Sequence, residues 1–141
     1  MKLFRMSIAA AGITVASSLV GLMPATAASA ATPACTRTEV YGSSQAGVGF
    51  VTVPVNAANT TSRCSMVRGD HNAAVGQLQR SIVSCYGISI SVDNDFGTNT
   101  YNALRTVQGR IGAGVDGKYG PETASKIKMP AATGGCGKFP A

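Results

Sequence analysis

One histidine serves the whole chain, His71, and it directly follows Asp70. A Ser-His-Asp or Cys-His relay needs an imidazole as general base, so any such site would have to use this residue. It falls where a helix is expected to start, and there a capping or surface role suits it better. Glycan hydrolysis asks for two carboxylates placed across the bond to be broken. Of the six acids, Asp93 and Asp116 belong to turns, and Glu39, Asp70, Asp95 and Glu122 share no context. Asp93-x-Asp95-x-Gly97 begins like a calcium loop, but Thr98 holds the position that needs glycine and Leu104 the one that needs glutamate. No catalytic residue, metal site or cofactor is expected.

Four cysteines are left as chemistry: Cys35, Cys64, Cys85 and Cys136. None has the close C-x2-C spacing of a zinc site. Their meaning depends on compartment, which the first residues address. Met1 to Arg5 is basic, Ile8 to Met23 is apolar, and Ala25 to Ala30 is a small-residue exit. That is the pattern of a secretory signal peptide over 1–30, with cleavage after Ala27 or Ala30. The apolar run is too short to span a membrane, so a secreted protein, extracellular or wall-associated and not membrane-spanning, is expected. In an exported chain the cysteines read as two disulfides. The expected pairing is Cys64–Cys85 with Cys35–Cys136: Cys64 precedes a helix and Cys85 lies near its end, so an extended approach running back along that helix would join them.

The chain has 141 residues, room for one domain and an appendage. Without Lys2 and Arg5, ten basic residues face six acids, a net charge of +4. The cations are scattered rather than clustered, which argues against nucleic acid. A monomer is expected.

Segment 31–62 is β-prone. Thr36–Tyr41 and Gly47–Val55 flank turn material, giving a loose hairpin in which Pro54 bars a central strand. From Asn72 the period becomes helical, with Val75, Leu78, Ile82 and Cys85 on one face, Asp70 or Asn72 as cap and Gly87 as stop. A second helix runs from about Thr98 to Arg110 with Ala103, Leu104, Val107 and Ile111 inward. A third, short one starts at Pro121. The organisation expected is leader 1–30, β-rich extension 31–62, helical domain 63–130 and tail 131–141, the last flexible until Cys136 ties it down.

The most informative feature is a repeat. Val92-Asp93-Asn94-Asp95-Phe96-Gly97-Thr98-Asn99-Thr100 returns 23 residues later as Val115-Asp116-Gly117-Lys118-Tyr119-Gly120-Pro121-Glu122-Thr123. Each copy reads as an Asx-type turn feeding a helix. Asp93 and Asp116 satisfy turn donors, Phe96 and Tyr119 plug the core, and Gly97, Gly117 and Gly120 permit the bend. Thr100 and Thr123 stand just inside the helices.

These residues resemble a known family. Leu78-Gln79, Thr100-x-x-Ala103-Leu104-x-x-Val107-Gln108-x-x-x-Gly112 and Val115-Asp116-Gly117-x-Tyr119-Gly120-Pro121-x-Thr123 are similar to the peptidoglycan-binding domain, the small three-helix module attached to many bacterial cell-wall hydrolases. The likeness covers Gly69 to Lys128. The first copy departs from it at Asn94, where glycine is usual, and Thr98, where proline is; Val107 replaces an aromatic. The resemblance implies a mainly α, three-helix bundle with a small N-terminal hairpin and two disulfides. It implies a non-catalytic module that holds peptidoglycan, an insoluble polymer of sugars and carboxylate-bearing peptides. Gln79, Arg80, Tyr86, Arg105, Lys118 and Tyr119 could supply the flat rings, amides and positive charge for that ligand. The turn repeat offers Tyr119 another use, as a core plug, and Gln79 and Gln108 another, as turn partners. Too few residues remain for a catalytic domain, so the protein is expected to act alone or to recruit a protein partner through its β-rich front. Two other classes stay open: an interaction or inhibitor protein that kept the fold and lost wall binding, and a small wall hydrolase with an unrecognised site.

Overall fold

The computed structural model describes residues 30–43, 47–58 and 61–139. The expected leader, Ala30 apart, lies outside them, as do Pro140 and Ala141.

Helix α1 (Ala73–Tyr86) starts where Asn72 turns its side-chain oxygen onto the N–H groups of Ala74 and Val75, at 2.9 and 3.2 Å. This satisfies two of the donors that a helix start leaves open. It stops at Gly87, whose φ of 66° few other residues adopt cheaply. Helix α2 (Thr98–Ile111) ends the same way at Gly112, and α3 (Pro121–Lys126) begins with the proline the sequence placed there.

The hairpin is present: β1 (Arg37–Gly42) pairs antiparallel with β2 (Phe50–Val55), Arg37 opposite Val55 and Gly42 opposite Phe50. Alternation along β2 turns Val51, Val53 and Val55 inward, and they share one core with Leu78, Ile82, Phe96, Leu104, Val107 and Tyr119. Helix α1 packs on β1, β2 and α2 alike, and Gln77 ties it to the hairpin by donating to the Thr52 carbonyl at 2.9 Å. The three helices and two disulfides therefore stand as expected, but "mainly α" overstates them. Helices hold roughly a third of the described residues, and the hairpin shares the helical core.

The tail is also more ordered than its glycines suggested. It forms β3 (Met129–Pro130) and β4 (Cys136–Gly137), paired antiparallel, and Ala132 N–H reaches the Phe50 carbonyl at 3.1 Å. Phe139 is buried against Tyr41, ring centroids 6.2 Å apart.

The disulfide pairing corrects the expectation. Cys35 bonds to Cys64 and Cys85 to Cys136. Cys35 N–H donates to the Ser65 carbonyl (2.9 Å) and Ser65 N–H to that of Pro33 (2.8 Å), which lays the two segments side by side. The Asn72 side chain in turn donates to the Cys35 carbonyl at 3.2 Å, so this bridge sits at the start of α1. Cys85 lies about 18 Å away along the helix, far beyond the ~7 Å between Cα atoms that a bridge tolerates. The chain before α1 does not run back along it, and Cys85 takes the partner that the ordered tail delivers.

Candidate functional site

Two buried glutamines organise the helical half. Gln79 of α1 donates through Nε2 to Asp93 Oδ1 (2.7 Å), the Asp95 carbonyl (2.9 Å) and Thr100 Oγ1 (3.0 Å). Its Oε1 accepts the N–H groups of Asp93 (3.1 Å) and Asn94 (2.9 Å). Gln108 of α2 repeats this on the second copy, donating to Asp116 Oδ1 (2.9 Å), the Lys118 carbonyl (2.9 Å) and Thr123 Oγ1 (3.1 Å) and accepting from Gly117 N–H (2.8 Å). Both aspartates also accept the N–H two residues on, at 2.9 Å. Asn94 and Gly117 have matching left-handed φ values, 64° and 70°. The two copies are one structure used twice, each locked by a glutamine from the preceding helix and each aiming the next helix.

Hydrogen bonding lowers the pKa of both aspartates. At Asp93 the Asp95 N–H does most and the Gln79 amide adds to it. At Asp116 burial pushes upward first, but the Lys118 N–H and the Gln108 amide outweigh it. Folded values below unfolded ones stabilise fully above about pH 4, and that stabilisation is lost as pH falls through the lowered values. The double variant D93N/D116N keeps an acceptor for every donor and removes the titration. Its acid limb, followed by circular dichroism below about pH 4, should be flatter than that of the parent. An equal limb would place the acid sensitivity elsewhere.

Phe96 and Tyr119 are fully buried counterparts. Among the described residues the Tyr119 hydroxyl has no hydrogen-bond partner, and burial pushes its pKa well up. Y119F copies the first repeat and should raise stability by about 1 kcal/mol; a loss in urea unfolding would show that the hydroxyl is used.

With α2 so aimed, its face carrying Asn99, Asn102 and Thr106 borders the extended segment Ile88–Ser91. Between them lies an open groove of about 640 Å³, lined by Ser89, Ser91, Asn99, Asn102 and Thr106, with Ile88, Ile90 and Ala103 as its apolar part. No charged side chain lines it. Hydroxyls, amides and short apolar surface suit a neutral, hydrogen-bonding ligand. A smaller depression of about 230 Å³ continues past Ser91 and Asn99 to the first turn.

Residues 71–127, which contain both turns, both glutamines and this groove, match the family model of a putative peptidoglycan binding domain. That stretch belongs to the peptidoglycan-binding domain family. The match occupies less than half of the chain. The chain also resembles a crystal structure of a peptidoglycan-binding protein from Clostridioides difficile in complex with glutamine hydroxamate, with a TM-score of 0.45 and 22% identity. That alignment covers 61% of this chain and 53% of the other, so the chain spans about half of that protein. No curated protein matches.

The peptidoglycan-binding module does not gather the six expected ligand residues on one surface. Gln79 and Tyr119 are corrected to the interior: one spends its whole amide on the first turn, the other fills the core. Tyr86 is half-buried at the end of α1, its hydroxyl accepting Lys128 N–H at 2.8 Å and its carbonyl held by Arg110 at 2.7 Å. Arg80, Arg105 and Lys118 are exposed on separate elements. Of the eight turn residues, Asp93, Thr100, Asp116 and Thr123 bond the two glutamines, Phe96 is buried and Gly117 is left-handed. Gly97 and Gly120, by contrast, precede α2 and α3 with φ of −83° and −135°, which other residues also adopt. The groove residues had a sequence signal: Asn99, Asn102 and Thr106 recur at helical spacing, and Ile88-Ser89-Ile90-Ser91 alternates. His71, the sole imidazole, is exposed with Nδ1 3.7 Å from Asp95. No described helix is long and apolar enough to cross a membrane.

Proposed function

We propose that the chain is a secreted bacterial protein that binds peptidoglycan and has no catalytic activity of its own. The observation that carries this reading is the uncharged hydroxyl- and amide-lined groove, on a stretch that matches the peptidoglycan-binding family model. N-acetylated sugars offer the same complement of hydroxyls and amides, with methyl groups for the apolar floor. The disulfides and the leader-like first residues fit an extracellular or wall-associated place.

Co-sedimentation with purified insoluble wall tests the proposal. The protein should pellet with the wall at physiological salt, and N99A/N102A should weaken retention by about tenfold. Retention no better than an unrelated basic protein of equal charge would contradict it. Release of soluble wall fragments would contradict the non-catalytic part.

A second reading, an interaction protein, draws on one observation. Val40 and Phe50 are 64% and 61% exposed on the outer face of the hairpin, where apolar residues serve contact better than solubility. V40S/F50S would impair partner capture and leave wall retention intact.

A further inference from the structure

Tyr101 of α2 is half-buried against the second turn, where a side chain on Gly117 would overlap its ring. Two guanidinium groups lie on that ring: the Arg68 carbon 5.2 Å from its centroid and the Arg105 carbon 5.8 Å. Arg105 comes from one turn further along α2. Arg68 comes from the loop before α1, and its Nη2 donates to Thr98 Oγ1 at 2.8 Å. Among the described residues neither arginine is in an ion pair; the pairs that form are Arg37–Glu39, His71–Asp95 and Lys126–Glu122. Two exposed cations have thus been brought to one aromatic ring without a carboxylate of the described residues paired to either. The ring attracts each guanidinium face; the Arg105 N–H edge and the part of the Arg68 edge not spent on Thr98 then remain to donate to an anion from outside. The planar fork of a guanidinium matches the two oxygens of a carboxylate.

We propose that Tyr101, Arg68 and Arg105 form a subsite for a carboxylate of the wall's peptides, beside the neutral groove that takes its sugars. Asn102 of the groove and Arg105 are one helical turn apart, so one ligand spans both. The proposal rests on the wall-binding reading above and assigns it a second contact of different chemistry. Tyr101 acts here by orienting the two arginines.

The test uses three preparations of wall: intact, with peptide carboxylates converted to amides, and with phosphodiester-linked polymers removed. The wild-type chain should bind amidated wall about tenfold more weakly than intact wall and be unaffected by phosphate removal. R68Q/R105Q should show the same loss on intact wall and no further loss on amidation. Amidation alters only the ligand, so the comparison holds whatever the variant does to folding. Equal binding of wild type to intact and amidated wall would overturn the subsite, as would a loss that follows phosphate removal instead. Failure of the wild type to bind any of the three overturns the wall reading itself, a distinct result.

Discussion

Replacing Gln79 by leucine is expected to cost about 3–4 kcal/mol, out of the roughly 5–15 kcal/mol that holds a domain folded. Leucine keeps much of the volume and loses every hydrogen bond. Two backbone N–H groups, those of Asp93 and Asn94, would lose their acceptor, and Asp93, Asp95 and Thr100 would lose a shared donor. The first turn then keeps only backbone bonds to the cap and loop before α1, Asn72 N–H to the Asn94 carbonyl at 3.1 Å and Phe96 N–H to that of Asp70 at 2.9 Å, and α2 is aimed less firmly. Gln77→Leu is the internal comparison: the same substitution two residues earlier on the same helix, also buried, but with a single hydrogen bond to the Thr52 carbonyl. That change should cost only about 1 kcal/mol. Urea unfolding of both variants measures the difference, and equal losses would show that the turn holds itself without the glutamine. Gln108→Leu should behave much like Gln79→Leu, because its three donated bonds match those of Gln79 and it accepts one turn N–H where Gln79 accepts two.

Gly117→Ala should cost about 3 kcal/mol by two separable routes. The backbone φ of 70° is left-handed, which costs a side chain roughly 1–2 kcal/mol, and the new Cβ would overlap the Tyr101 ring. Asn94 stands at the equivalent place with φ 64° and isolates the backbone part: Asn94→Ala should cost about 1 kcal/mol. Adding Tyr101→Ala to the Gly117 variant should relieve the overlap and leave the strain, a coupling that a double-mutant cycle reads directly. Additive losses would mean that ring and turn are not in contact. The same geometry explains why this chain carries asparagine in one copy and glycine in the other. At the first turn the facing residue is Gly76 of α1, whose missing side chain leaves room for the Asn94 carboxamide. At the second the Tyr101 ring fills the space, so the turn itself must be bare.

The helical half of this protein was legible in its residues because its information is local. The repeat at 23 residues marked both turns, the spacing of Val75, Leu78 and Ile82 marked α1, and Pro121 marked α3. What failed was long-range. The disulfide partners depended on which end of α1 each cysteine met, and no spacing reports that. The alternation of Val51, Val53 and Val55 identified a strand with one buried face but not that α1 would cover it. Two of the six expected ligand residues, Gln79 and Tyr119, went to the interior for a related reason. Glutamine and tyrosine are as able to serve a core as a surface, and Gln79 and Tyr119 are most fully spent where the repeat is strongest. Tyr101, four residues before Arg105, carried an i,i+4 signal for a ring beneath a cation, but Arg68 reaches it only through the fold.

The most direct test of the account is a nitrogen-15 correlation spectrum of the labelled chain titrated with a soluble, uncleaved glycan-peptide fragment of bacterial wall. Saturable shifts should appear at Ser89, Ser91, Asn99, Asn102 and Thr106 and extend to the Tyr101 neighbourhood, with the amides of β1 and β2 unmoved and the fragment intact at the end. Shifts confined to the hairpin, or none at millimolar fragment, would contradict it.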